Sequence, residues 1–252
     1  MTTVIVFIAS ICYLVWSPQR KTMTRRLLLY CGVAASLLYI AMNIFIPPLY
    51  EGYNWVTQTV SELSAVDAPT RPLWFPLGIA YTLLIAVFGW GVFKSAGEKK
   101  SLRIVGICLL LNGILGLTWS PMHQRVVLAA GGGSFTDTWH IVMSIITVTL
   151  MFLSIGFGTS VFGNKFRIYS LLTIVVFIVF GVLTFLEAPG IDKNLPTPHI
   201  GLWERINIAA FMVWILVFSV VLLRTEKKPS LNIPGKIKSS EKQQDHKIKE
   251  IV

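Results

Sequence analysis

Charged residues are scarce in this sequence. They make up 13% of its 252 residues, and apolar residues make up 54%. Soluble globular domains carry about 25% charged residues. The shortage is also uneven, because several uncharged runs are long enough, or nearly so, for a helix to cross about 30 Å of hydrocarbon. This composition argues against a soluble enzyme and predicts a membrane protein.

Several chemical signatures are missing as well. The three cysteines, Cys12, Cys31 and Cys108, all lie in apolar runs, so we expect neither a disulfide framework nor a cysteine metal site. The glycines at 131–133 have no strand before them and no Lys-Ser/Thr after them, which argues against a phosphate-binding loop. No serine lies in a G-x-S-x-G context, and no haem, flavin or nucleotide signature is present.

Six apolar runs predict an all-α membrane protein, a bundle of six transmembrane helices. The runs are Leu27–Pro47, Leu73–Phe93, Ile104–Ser120, Thr138–Phe162, Ile168–Leu186 and Ile206–Leu223. Strands of a transmembrane barrel would alternate in polarity over about ten residues, and these runs do not alternate. The expected domain organisation is an apolar extension (1–22), a six-helix membrane domain (23–223) and a disordered basic tail (224–252). The extension is either an extra short helix or sequence upstream of a true start at Met23.

The basic residues predict the orientation of the spans. Eighteen lysines and arginines fall on one side, counting the tail, and four fall on the other. The positive-inside rule therefore places both ends of the six-helix unit in the cytoplasm of a protein in the cell membrane. Because the basic residues lie on short loops beside the spans, the expected partner is the lipid bilayer and not nucleic acid.

The loops on the opposite, outer side are long, so we expect function there. In the first of them, Val56, Val60 and Leu63 are spaced i, i+4, i+7, which predicts a short interfacial helix after the first span. One interpretation lays this helix flat on the membrane or on the mouth of the bundle. The other makes it a lid over a cavity, with Glu62 turned inward.

Candidate site residues gather at the outer ends of the spans and in the adjoining loops. They are Glu62, His123, Asp137, His140 and Glu204. Asp137, His140 and Glu62 are the catalytic candidates, and Asp137 and His140 share a helix face. His123, Asp137, His140 and Glu204 are the candidate metal ligands, for which zinc is suitable. In the alternative interpretation Asp137 caps a helix N-terminus and His140 is an interfacial hydrogen-bonding ring.

A series of motifs carries a family resemblance. In order they are Arg25-Arg26-Leu27-Leu28-Leu29 with Gly32-Val33-Ala34-Ala35, Thr59-Val60-Ser61-Glu62-Leu63-Ser64-Ala65, Pro121-Met122-His123, Thr136-Asp137-Thr138-Trp139-His140 and Trp203-Glu204-Arg205-Ile206-Asn207. Residues 23 to about 224 resemble the bacterial multi-pass membrane family known only as domain of unknown function 998. The resemblance implies a six-helix integral membrane protein and implies no reaction.

Three functions remain open from the sequence. The first is a membrane protein without catalytic activity. The second is a metal-dependent membrane hydrolase that acts on a lipid or on a small amide or ester. The third is a small-solute transporter. The second would use a metal-bound water as its nucleophile. The sequence departs from the seven-helix hydrolase superfamily of alkaline ceramidases and adiponectin receptors. It has Asp137-x-x-His140 in place of Asp-x-x-x-His, and no His-x-x-x-His occurs in a late span. A proton-coupled transporter would normally carry a charge near the centre of a span, and none does.

Overall fold

The computed structural model describes the backbone of residues 18–226 and the side chains of residues 23–225. The described part is all-α. Its α-helices are α1 (Pro18–Phe45), α2 (Arg71–Ser95), α3 (Lys100–Gly116), α4 (Arg125–Ala129), α5 (Phe135–Gly158), α6 (Asn164–Glu187), α7 (Pro189–Asp192) and α8 (Ile200–Glu226). Two 3-10 helices, Pro47–Leu49 and Ser61–Ser64, lie between α1 and α2. Residues 18–22 of the predicted extension belong to α1, whereas residues 1–17 and the tail from 227 lie outside the described residues.

Five helices of the described chain are long and apolar enough to cross a membrane. They correspond to α1, α2, α5, α6 and α8. The remaining predicted span, Ile104–Ser120, corresponds to α3, which has 17 residues and is the shortest of the long helices. The chain is therefore a multi-pass membrane protein, with five spans by length and composition and α3 packed among them.

The long helices form a closed ring in the order of the chain. Each of α1, α2, α3, α5, α6 and α8 packs against its neighbours in sequence, and α8 returns to pack against α1. Ser219 Oγ on α8 closes the ring by donating a hydrogen bond to the Leu29 carbonyl on α1 at 2.6 Å. Phe88, Trp214 and Phe218 are fully buried where these helices meet.

Glycines allow α2 and α3 to approach closely. A Cβ on Gly106 would lie 2.5 Å from the backbone nitrogen of Phe93, and a Cβ on Gly113 would meet the backbone of Thr82 and Ala86. Gly89 on α2 likewise faces the backbone of α3. Helices in lipid gain little from the hydrophobic effect between them, so close backbone contact through small residues is a main source of their association.

One end of the ring is covered by the long connections, which we call the cap (residues 46–70, 117–134 and 188–199). The first two segments are joined through their backbones, because the Val66 amide donates to the Met122 carbonyl at 2.8 Å. The first segment is also bonded to the start of α8, where the Leu202 amide donates to the Val56 carbonyl at 3.1 Å. Within residues 18–226, the connections at the opposite end are the short ones, 96–99 and 159–163.

The first cap segment differs from the predicted interfacial α-helix. Residues 50–60 form turns and irregular backbone, and within the predicted apolar stripe only Ser61–Ser64 is helical, as a 3-10 turn. Side chains bond to part of this backbone: the Tyr53 hydroxyl donates to the Thr59 carbonyl at 2.6 Å, and the Thr59 amide donates to Glu62 at 2.7 Å. Local side-chain bonds of this kind compete with the helical ladder. Val60 and Leu63 are nevertheless buried.

Candidate functional site

An ion pair between Glu62 and Arg125 lies at the centre of the cap. Arg125 Nε lies 2.7 Å from Glu62 Oε1, and Arg125 Nη2 lies 2.9 Å from Oε2, so the pair is bidentate. The Glu62 side chain is only 6% exposed, and the Arg125 side chain is only 12% exposed. The amide and hydroxyl of Thr59 donate to Glu62 Oε2 at 2.7 and 2.9 Å. The Gln58 side-chain amide donates to Oε1 at 3.3 Å. The carboxylate is therefore held by two charge-assisted bonds and three further donors.

Arg125 also connects the three cap segments. Its Nη1 donates to the Thr197 hydroxyl at 2.7 Å, and its Nη2 donates to the Thr57 carbonyl at 3.1 Å. The Thr197 hydroxyl in turn donates to the same carbonyl at 2.8 Å. Arg125 was not among the site residues predicted from the sequence. It could have been identified because it is one of only four basic residues on the side where basic residues are rare.

Asp137 and His123 form a second pair, at the start of α5. Asp137 Oδ1 accepts from the His123 backbone amide at 2.6 Å, and Oδ2 lies 2.8 Å from His123 Nδ1. Oδ2 also accepts from the Ser134 amide at 2.8 Å, within a capping box whose N-cap is Ser134. Asp137 therefore sits at the N3 position and not at the N-cap, where its negative charge also favours the positive end of the helix dipole.

His140 lies one turn further along α5 and is buried. Its Nδ1 is 2.7 Å from the Ser120 carbonyl, and its Nε2 is 3.0 Å from the Ser61 hydroxyl. A carbonyl oxygen only accepts, so Nδ1 carries the proton and Nε2 accepts from Ser61. Both ring nitrogens are thus committed to cap residues, and the edge of the ring packs against Trp119 at 4.9 Å between centroids.

The start of α8 supplies two side chains that bond to the cap. Glu204 Oε2 accepts from the Val60 amide at 2.6 Å. Arg205 donates to the Trp55 carbonyl at 2.7 Å, to the Gln58 carbonyl at 3.0 Å and to the Tyr53 hydroxyl. Burial raises the pKa of Tyr53 above its usual value, so the hydroxyl stays a neutral hydrogen-bond donor.

The structure brings all five predicted site residues to the cap but binds them in separate groups. Glu62 pairs with Arg125 and Asp137 with His123, whereas His140 and Glu204 bond to serine and backbone groups. Across residues 18–226, no three His, Cys, Asp or Glu side chains form a group that could hold a metal ion. The predicted ligand set His123, Asp137, His140 and Glu204 is therefore not assembled. The physical reason is that each of these polar groups is already satisfied by a nearer partner.

Beneath the cap lies a central cavity of about 160 Å³ inside the helix ring. Five helices and the cap contribute to its wall. The lining residues include Tyr39 of α1, Trp74 and Tyr81 of α2, Asn112 of α3, Thr147 and Met151 of α5, Met212 of α8, and Ser64 and Trp119 of the cap. None of the five predicted site residues lines it. Asn112 is 5% exposed, and its amide nitrogen has no hydrogen-bond partner.

Comparison with known proteins identifies a family and no activity. No curated protein and no solved structure matches the chain. The model of one family, described as "Protein of unknown function (DUF998)", matches residues 33–221, which run from α1 to α8 and include the whole cap. The sequence resemblance is thereby confirmed. The chain belongs to the DUF998 family of proteins of unknown function.

Proposed function

We propose that this protein binds an amphipathic molecule from the bilayer in the central cavity, and that the cap is a rigid polar cover on the outer membrane face. The observation that carries the proposal is Asn112, a buried amide with an unpaired donor in the wall of that cavity. An unpaired buried donor costs about 1–3 kcal/mol. A ligand with an oxygen acceptor removes that cost on binding.

The shape of the cavity indicates how a ligand enters. Its wall runs from buried Trp74 and Tyr81 to exposed apolar residues, namely Phe75 and Ile79 on α2 and Leu117 directly after the end of α3. In a membrane protein such apolar exposure faces lipid. The cavity is therefore continuous with the lipid-facing surface, and a chain-bearing molecule reaches it sideways from the bilayer.

The size of the cavity restricts the part of the ligand that it holds. A drug-sized ligand needs about 300 Å³ or more, whereas this cavity measures about 160 Å³. An apolar cavity of about 150 Å³ holds a molecule as small as benzene. The expected occupant is thus one end of a larger lipid, with the remainder lying along α2 and α3.

Binding fits this geometry better than hydrolysis does. Glu62, Asp137 and His140 would have to reach the reacting atoms as base, acid or nucleophile, within about 2.6–3.2 Å or through one water. These three side chains do not line the cavity. Glu62 is bonded to Arg125, Asp137 to His123 and His140 to the Ser120 carbonyl. These groups support the cap, and the cavity wall offers an amide, hydroxyls, aromatic rings and the guanidinium of Arg71.

Photolabelling of the protein in detergent tests the proposal. A fatty acid carrying a photoactivatable diazirine should label residues of α2 and α3 that line the cavity. Gly78→Leu should remove most of this labelling, because Gly78 lines the cavity and an added Cβ meets no atom within 4 Å. The matched control is Gly156→Leu, which has the same open space but lies outside the lining. Equal labelling of the two variants would contradict the proposal.

A second variant separates recognition from folding. Asn112→Leu keeps the branching at Cγ, is somewhat larger and removes the unpaired donor, so the empty protein should be as stable as wild type or more so, while labelling falls. Loss of labelling together with loss of stability would indicate a purely structural Asn112. Release of free acid from a matching fatty-acyl ester, abolished by His140→Ala, would favour a hydrolase instead.

A further inference from the structure

A second recess lies outside the ring, in a groove between α1 and α8 next to the cap. Its volume is about 490 Å³. The apolar wall consists of Ile40 and Ile44 on α1 and Ile208 and Ala209 on α8, and the rim at the cap consists of Tyr53, Trp55 and Arg205. Ile44 is 57% exposed and Trp55 is 50% exposed, so the groove opens onto the apolar outer surface.

The rim carries a guanidinium, that of Arg205, which forms no salt bridge within the described residues, although Glu204 is close enough to interact with it electrostatically. Every hydrogen bond from Arg205 goes to a neutral oxygen, namely the carbonyls of Trp55, Gln58 and Gly201 and the hydroxyl of Tyr53. Within the described part of the chain no carboxylate forms an ion pair with Arg205, and its Nε has no hydrogen-bond partner. Glu204, the next residue back along the chain, bonds to the Val60 amide instead.

The aromatic residues at the rim hold the guanidinium in place and set its depth in the membrane. Arg205 Cζ lies 5.6 Å from the centroid of the Tyr53 ring and 5.9 Å from that of Trp55, within the range of cation–π attraction. Tyrosine and tryptophan favour the level of the lipid headgroups. Arg205 is therefore held at headgroup level, directly above an apolar wall of acyl-chain character.

We propose that this groove binds an anionic phospholipid, with its phosphate-bearing headgroup at Arg205 and one acyl chain along Ile40, Ile44 and Ile208. Charge complementarity selects the headgroup, because a guanidinium that forms no salt bridge attracts a negative charge in a medium of low dielectric. The apolar wall selects a lipid over a soluble phosphate, which would gain nothing from it. A zwitterionic lipid brings its own cation to the same rim and is disfavoured.

Native mass spectrometry in detergent tests this with two lipids of identical chains, phosphatidylglycerol and phosphatidylcholine. One basic residue near a membrane surface is worth about 1 kcal/mol, so wild type should bind phosphatidylglycerol about fivefold more tightly. Arg205→Gln should abolish the difference. Equal binding of the two lipids by wild type would overturn the proposal. It would also be overturned if free glycerol phosphate competed for the site as well as phosphatidylglycerol does.

A second variant covers the case in which Arg205→Gln fails to fold. Ile44→Trp narrows the groove and leaves Arg205 intact, so it should also lose the bound phosphatidylglycerol. Ile178→Trp is the matched control, since Ile178 is an exposed residue on α6, outside the groove. If Ile44→Trp and Ile178→Trp retain the lipid equally, the groove is not its site. Labelling of the central cavity is an independent measurement and is expected to be unchanged in Ile44→Trp.

Discussion

At the scale of single residues, the cap is organised by Arg125. Its guanidinium contacts Glu62, Thr197 and Thr57, which lie 63 to 72 residues away in the chain. Removing one member of a buried ion pair leaves the other charge uncompensated, and this costs more than the pair contributes relative to neutral residues. The stability of the cap therefore depends on whether both members are present.

Arg125→Met should lower the free energy of unfolding by about 3–5 kcal/mol, because Glu62 then remains buried without its partner. Thermal unfolding in detergent measures this. Arg103→Met is the control, since Arg103 is exposed near the opposite end and donates only to the Gly97 carbonyl. Adding Glu62→Gln to Arg125→Met should restore part of the loss. A single Arg125→Met variant as stable as the control would show that the pair contributes little.

At the scale of elements, the helices were predictable and the site was only partly so. The uncharged run Leu73–Phe93 lies within α2, Arg71–Ser95, because lipid requires apolar side chains along almost the entire span. Glu62, Asp137 and Glu204 were placed together because each lies at a span end or in an adjoining loop. Their partners were not predictable, since the pairing of Glu62 with Arg125 depends on turns that leave no periodic pattern in the sequence.

The contact of α2 with α3 makes a prediction of its own. Gly113→Ala should destabilise the protein, because the added Cβ would meet the backbone of Thr82 and Ala86, which cannot move as a flexible side chain can. Gly156→Ala, where the Cβ meets nothing within 4 Å, should instead be neutral or stabilising by about 0.5–1 kcal/mol. The melting temperatures of the two variants test this prediction. Equal shifts in melting temperature would mean that α2 and α3 can move apart without a loss of stability.

At the scale of the whole molecule, the cap and most of the basic residues of the described chain lie at opposite ends of the ring. We expect the cap to face the outside. A cysteine at Gly133 should react with an impermeant maleimide on intact cells, and one at Gly163 should not, in a background without Cys12, Cys31 and Cys108. Both positions have room, as the nearest atom to a Cβ lies at 3.6 Å for Gly133 and beyond 4 Å for Gly163. The reverse labelling would invert the orientation.

The closed ring also has a consequence for biosynthesis. Because neighbours in the ring are neighbours in sequence, each span leaving the ribosome finds its first partner already in the membrane. The exception is the seam, where Ser219 meets Leu29 across 190 residues and Glu204 meets Val60 across 144. Until α8 is synthesised, the first cap segment lacks its bonds to Glu204 and Arg205, and the groove lacks one wall. A prematurely terminated chain would therefore be recognisable to quality control by an open seam, and the last span completes the ring, the cap and the groove in one step.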